Sequence, residues 1–275
     1  MSRTMIQAAV TMQQLQQKLD MIGSNIANSQ TTGYKSRQAD FSSLLFQQID
    51  NLSDPASSEG RLTPDGIRVG SGAKLGGINV DLTLGSLRET DRPLDVALLQ
   101  DNYLFQVEVT DGDVTETHYT RDGSFYLNPI NNTTSMLTTK DGYPVLGENG
   151  PIVISEGFDS IHIQSDGQII VGRGDQTEIA GTIQIVEAVR PRLLEATGQN
   201  FFRLPNLDEL GYTMNEIIQE PDNDQNMLKS GALEQSNVDM AQQMTDMLMT
   251  QRSYQFNART ISMGDQMLGL INQLR

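Results

Sequence analysis

Two histidines, His118 and His162, are the only imidazoles in this 275-residue chain, which has no cysteine. Each lies in its own alternating run, ETHYT (116–120) and SIHIQ (160–164), with no Cys, Asp or Glu at ligand spacing beside it. That pattern predicts neither a metal centre nor an acid–base pair. The glycine-rich GIRVGSGAKLGG (66–77) lacks the GxxxxGK[ST] order of a phosphate loop and reads as a linker. Asp111-Gly112-Asp113 is too short for a twelve-residue calcium loop, and a turn accounts for it. Arg173-Gly174-Asp175 spells a tripeptide with an adhesive reading. The plainer reading is a turn between a strand ending at Val171 and one starting near Glu178. The many carboxylates form no paired motif. The chain is expected to be no enzyme, with no catalytic residue, no cofactor site and no metal ligand.

Charge narrows the partners. The formal net charge is -16, and residues 51–227 carry 11 basic against 28 acidic residues, so both ends are close to neutral. A nucleic-acid binder presents a basic face, so that class is disfavoured. The acidity suits solubility and repulsion between free subunits. Without cysteine there is no disulfide framework. The N-terminus lacks the compact apolar region of a cleavable signal peptide. No apolar run approaches the ~20 residues that span a bilayer, so no integral membrane segment is expected.

The elements that position any functional residue fall into two kinds. Met5, Met12, Leu19 and Ile26 recur every seven residues, with Ala8, Leu15 and Ile22 between them. This is an a/d seam of the coiled-coil type. At the other end Met240, Met247, Tyr254, Ile261 and Leu268 also recur every seven, and Met244, Leu248, Ala258, Met267, Ile271 and Leu274 widen the stripe. Ser236-Asn237-Val238-Asp239 reads as the start of that helix. Between the ends stand five Asp-Gly pairs, at 65–66, 111–112, 122–123, 141–142 and 166–167. Asp-Gly between alternating runs predicts hairpins, because a type I′ turn needs positive φ at both central residues. The flanking runs LFQVEV (104–109), QIIV (168–171) and TIQIVEAV (182–189) alternate as strands do.

The predicted fold class is α+β and multi-part: terminal α-helices forming a coiled-coil hairpin, with an inserted antiparallel all-β domain. The expected parts are an N-terminal helix and polar motif (1–50), a linker (51–77), the β domain (78–204), a return linker (205–232) and a C-terminal helix (233–275) pairing with 1–50.

Several blocks carry a resemblance. LDMIGSNIANSQTTGYK ends the first helix, GALEQSNVD (231–239) precedes the last, and MLMTQRSYQFNARTISMGDQML (247–268) lies within it. TDRPLDVAL (90–98), HYTRDGSF (118–125) and TKDGYPVLG (139–147) stand between in order. Together they resemble the bacterial flagellar basal-body rod and hook family, most closely the distal rod protein and its rod-like Gram-positive paralogues. Two departures are LLQDNYLF (98–105), where that family usually has Gly-x-Gly-Phe-Phe, and Ser24, where a first Asn is commoner.

The resemblance implies a structural subunit of the rod, axial, helically polymerised and torque-transmitting. It implies a place in the flagellum basal body and export through the type III apparatus without a cleaved signal. The implied partners are copies of itself and other axial rod and hook subunits, together with that export apparatus. The alternative is a secreted adhesive or carbohydrate-binding β module that its helices oligomerise. The residues expected to carry subunit assembly are Leu15, Leu19, Ile22, Asn25, Ile26, Asn28, Thr32, Gly33, Tyr34 and Lys35 at the first end. At the second they are Leu233, Glu234, Ser236, Asn237, Val238, Met247, Gln251, Arg252, Tyr254, Asn257, Ile261 and Leu268. In SNIANSQTTGYK (24–35), Gly33 suits a helix stop, Asn25 and Asn28 share one helical face, and Tyr34 and Lys35 follow as an anchor and a charge. These residues are expected to form a contact surface between subunits, so that changing Asn28 or Tyr34 would spare the monomer and damage assembly.

Overall fold

The computed structural model describes residues 2–43, 46–49, 67–70, 73–112, 114–198, 200–207, 211–221 and 226–273, which fold as two compact units. The first unit comprises residues 1–24, 38–79 and 241–275, and the second residues 25–37 and 80–240.

Among the described residues the first unit holds two long helices and four strands. Helix α1 (Ser2–Ala27) follows its predicted seam, with Ala8 and Ile22 buried and Met5, Met12, Leu15 and Leu19 half-buried. Strands β1 (Arg37–Ser43) and β4 (Ala73–Val80) pair with each other, and β2 (Phe46–Ile49) pairs with β3 (Ile67–Gly70). The described part of the expected 51–77 linker is therefore strand; the rest of that linker, with Asp65-Gly66, lies outside the described residues.

The described strands of the second unit all pair antiparallel. Strands β5 (Leu87–Glu89) and β6 (Val96–Leu98) lead to the hairpin of β7 (Tyr103–Asp111) and β8 (Val114–Thr120). Next come β9 (Phe125–Asn131), β10 (Thr134–Thr139), the short pair β11 (Leu146–Gly147) and β12 (Gly150–Pro151), and β13 (Val153–Ser155). Strands β14 (Ser160–Ile163), β15 (Gln168–Arg173) and β16 (Gln176–Thr182) form a meander. The remaining strands are β17 (Ile185–Ala188), β18 (Glu195–Gly198), β19 (Phe201–Arg203), β20 (Ile218–Gln219), β21 (Leu228–Ser230) and β22 (Ala232–Glu234). The largest sheet runs β18-β19-β8-β7-β17-β20.

That sheet buries both faces, as its alternation dictates. Phe105, Val107, Ile185 and Phe201 join one core with Leu98, Phe125, Leu137, Ile154 and Ile169. Leu104, Tyr119, Val186 and Phe202 join a second with Leu82, Ile217 and Ile218.

The Asp-Gly turns keep only half of the predicted chemistry: Gly112, Gly142 and Gly167 have φ of 63, 87 and 93°, but Asp111, Asp141 and Asp166 do not share the positive φ, so these pairs are not the expected type I′ turns. Asp122-Gly123 is an exception and makes no hairpin: Gly123 is there because a Cβ would stand 1.8 Å from the Val96 carbonyl oxygen. TIQIVEAV is split between β16 and β17, and the two belong to different sheets. The expected return linker (205–232) instead contributes a one-turn helix, α2 (Met214–Ile217), β20 and β21. Strands of two or three residues are too short to show a period, and their partners are remote in sequence. In LLQDNYLF, Asn102 sits at φ 60°, in the left-handed region that Gly and Asn tolerate best. The C-terminal helix α3 (Met240–Gln273) starts later than the Ser236-Asn237 signal suggested: Ser236 Oγ accepts from Val238 N, and Asn237 bonds remote backbone at Ser36 and Asp81.

Candidate assembly site

Within the second unit the two polar motifs meet. After α1 the chain turns at Gly33, with φ 65°, and runs without strand pairing through Lys35 and Ser36. Side-chain amides replace the missing ladder. Asn25 Oδ1 accepts from Arg37 N (3.0 Å) and Tyr34 Oη (3.1 Å), while its Nδ2 donates to the Arg37 carbonyl (2.9 Å). Asn237 Oδ1 accepts from Ser36 N (2.8 Å), and its Nδ2 donates to the carbonyls of Asp81 (2.9 Å) and Thr83 (3.2 Å). Asn200 Nδ2 donates to the Thr32 carbonyl at 3.1 Å. One asparagine from each motif thus satisfies backbone groups that burial would otherwise leave unpaired.

Beneath this lies an ionic cluster. Lys35 Nζ donates to Glu234 Oε1 and to the Thr83 carbonyl. Arg121 Nε donates to Glu234 Oε2 at 2.6 Å, and its two terminal nitrogens donate to the carbonyls of Tyr103 and Gln100, both at 2.7 Å. Gly85 N adds a bond to Glu234 Oε1 at 2.8 Å, and Gly33 N donates to the Glu234 carbonyl at 2.8 Å. Lys35, Arg121 and Glu234 are each 1% exposed. Burial first, and then the charge of Arg121, holds the Lys35 ammonium below its ordinary pKa, with Glu234 opposing both.

Asn25, Gly33, Tyr34, Lys35, Leu233 and Glu234 are therefore buried inside one protomer, not laid out on an open contact surface as the sequence led one to expect. The reason is pairing: each polar group has found its partner within the same chain. Asn28 is half-buried and accepts from Thr31 Oγ1 at 3.2 Å; Ile26, Thr32, Ser236, Asn237 and Val238 are also half-buried. Arg121 was missed as a site residue although HYTRDGSF contains it. Its signal was a lone cation closing a buried strand.

The first unit offers the opposite surface. Along α3 the less exposed positions include Met240, Gln243, Met247, Thr250, Tyr254, Asn257, Ile261 and Gly264, an alternation of three and four. Gly264 lies against Met5: a Cβ there would stand 3.1 Å from Met5 Cγ. Gln251, Arg252 and Leu268 are exposed. So are Leu248, Met249, Phe256, Met263 and Leu270, at 56, 62, 72, 55 and 60% of their surface. α3 thus carries large apolar side chains outside its less exposed stripe, interspersed with polar ones such as Gln251 and Arg252. Phe256, Met249, Met263 and Leu270 fell outside the predicted stripe because they stand on another face.

The other candidate chemistry resolves into structure. His118 is buried beside Phe201, with Nε2 3.5 Å from Glu116, and exposed His162 lies on another sheet. Arg173 donates to the Ser155 carbonyl (2.8 Å), Gly174 N donates to Asp159 (2.7 Å), and Gly174 and Asp175 make the turn joining β15 to β16. Among the described residues no group of three or more His, Asp or Glu could hold a metal ion.

Three family models match in chain order. "Flagella basal body rod protein" covers residues 7–35, "Flagellar hook protein FlgE/F/G D1 domain" residues 100–171, and "Flagellar basal body rod FlgEFG protein C-terminal" residues 229–274. The chain is 40% identical over 283 residues to the flagellar hook-basal body complex protein FlhP of Bacillus subtilis, covering 100% of both chains. It is 34% identical to the flagellar basal-body rod protein FlgG of the same organism, over 98% of this chain and 97% of that one. The FlgG of Caulobacter vibrioides is 33% identical over the same shares of each.

Proposed function

The chain belongs to the flagellar basal-body rod and hook family, and from that premise we propose that it is a structural subunit of the rod: axial, helically polymerised and torque-transmitting. The observation that carries this reading is the exposed apolar surface of α3, headed by Phe256 and Met249. Hydrocarbon on that scale in a free protomer is surface held for a neighbour. The adhesive alternative has lost its support, since Arg173 is engaged in a hairpin and the relatives are flagellar.

In this reading α1 and α3 pair as an antiparallel coiled-coil hairpin. The Met5–Gly264 contact supports it. From Ala27 back to Met5 the rise is ~33 Å, and from Met240 to Gly264 ~36 Å, so the two helices reach that contact together. Leu15, Leu19, Ile22, Met247, Tyr254, Asn257 and Ile261 line the hairpin. Gln251, Arg252 and Leu268 face neighbours. Asn25, Tyr34, Lys35 and Glu234, buried within the protomer, serve assembly indirectly, by fixing the segments next to both helices. The partners are further copies and other axial rod and hook subunits, and the route out is the type III export apparatus without a cleaved signal.

Purified hook–basal bodies test the reading. The chain should be recovered in them in many copies and survive salt washing. Recovery only from cytoplasm or culture fluid would overturn it.

A further inference from the structure

The second unit holds an ionic cluster whose parts cannot be assembled one at a time. Two cations share one carboxylate, and the side chains of Lys35, Arg121 and Glu234 are closed to water. Their origins are scattered: Glu234 lies 199 residues from Lys35, 113 from Arg121 and 149 from Gly85. The largest sheet uses no strand beyond β20, while β21 and β22 make only two-stranded ladders with β6 and β5. The main β framework is thus complete without residue 234.

Two arguments set the order of events. Loop closure costs more entropy as the loop lengthens, so local hairpins such as β7–β8 form ahead of contacts spanning most of the chain. Electrostatics then makes the last step all-or-none. Without Glu234, closing Lys35 and Arg121 into the same dry site buries like charges with no counter-ion, which is worse than leaving them hydrated. The fit is also close at the backbone. A Cβ on Gly85 would stand 2.1 Å from the Gln235 carbonyl oxygen, and one on Gly33 2.6 Å from the Arg121 carbonyl carbon.

We propose that the Lys35–Glu234–Arg121 cluster is a clasp that closes last, when residues 231–237 arrive, and that only then are residues 32–37 fixed. A chain delivered N-terminus first has an unfixed base for α1 until its final strand is seated. Its meaning for assembly rests on the rod reading above: polymerisation is withheld from an incomplete subunit. The clasp itself is independent of that reading.

The test is refolding of the full-length chain from urea with two pulsed labels. Pulsed amide exchange follows Phe105, Val107 and Tyr119 in the β7–β8 hairpin against Gly33, Ser36, Arg37 and Gly85 at the clasp. Pulsed acylation, read by mass spectrometry, follows Lys35 against the exposed Lys140 and Lys229. The hairpin amides should be protected first, and the clasp amides and Lys35 together in a later phase. In the native state, Glu234→Gln should raise Lys35 acylation at least tenfold and leave β7–β8 protection unchanged. Lys35 protected in step with the hairpin would overturn the clasp, as would Lys35 still protected in the variant. The wild-type arm needs no variant to fold. It reads the free chain, so its failure leaves the rod reading untouched, whereas absence from hook–basal bodies leaves the clasp untouched.

Discussion

The buried ionic cluster and the C-terminal helix invert the usual placement of residue types. In the cluster an ammonium, a guanidinium and a carboxylate are each 1% exposed, while on α3 a phenylalanine is 72% exposed and a leucine 60%. Burial of the first set has an internal explanation, because every charge has a partner at hydrogen-bond distance. Exposure of the second has no internal explanation, since apolar side chains gain nothing from water. The polar motif is thus used within the protomer's own fold, whereas the hydrocarbon of α3 is the surface that the proposed rod would cover. Substitutions in the two regions should therefore separate stability from assembly.

The largest loss of stability is expected from Glu234→Ala. It strands two buried cations, and removing one partner of a buried ionic set costs ~3–5 kcal/mol. Urea unfolding of the purified chain measures it; a loss under ~1 kcal/mol would mean the cluster is hydrated in solution. Gly33→Ala comes next, at about 2–3 kcal/mol, since it combines a φ of 65° with a Cβ 2.6 Å from the Arg121 backbone. Near-wild-type stability there would show that the turn can move away from residue 121. Tyr34→Phe removes one buried hydroxyl bond to Asn25. It should cost ~1 kcal/mol. That outcome separates an anchor within the protomer from the free contact surface the sequence suggested, on which the monomer would lose nothing.

How much of this was legible follows from the range of each interaction. The α1 seam, the β7–β8 and β14–β15 hairpins and the α+β class rest on local periodicity and turn residues. Gly33 as a helix stop did not hold: α1 ends at Ala27, and the positive φ of Gly33 belongs to a turn six residues further on. Which partner Lys35 takes is another matter, because it depends on a contact spanning 199 residues. Ser236 and Asn237 were misread as a helix start for a related reason: the residue types that cap helices also bond to any nearby backbone. Here Asn237 bonds Ser36 and Asp81. The outer face of α3 was underread because a seven-residue repeat singles out one stripe. Phe256 and Leu270 lie off that stripe.

The smallest effect on the protomer is expected from Phe256→Ser, and it is the most discriminating. Phe256 is 72% exposed, so its removal withdraws little surface from the fold. Substitutions at such positions usually stay within ~0.5 kcal/mol. Its helix-interior position adds only the modest propensity difference between Phe and Ser, which are near neighbours in rank. Unfolding of the purified variant should match the wild type. In cells the variant should be made at normal levels yet be missing from purified hook–basal bodies. Tyr34→Phe, weakened in stability by the larger amount, should still be incorporated. A Phe256→Ser chain that unfolds early would show the ring is covered within the protomer. One incorporated normally would move the subunit contact off this face of α3. The paired measurement asks whether stability and assembly are written in different residues.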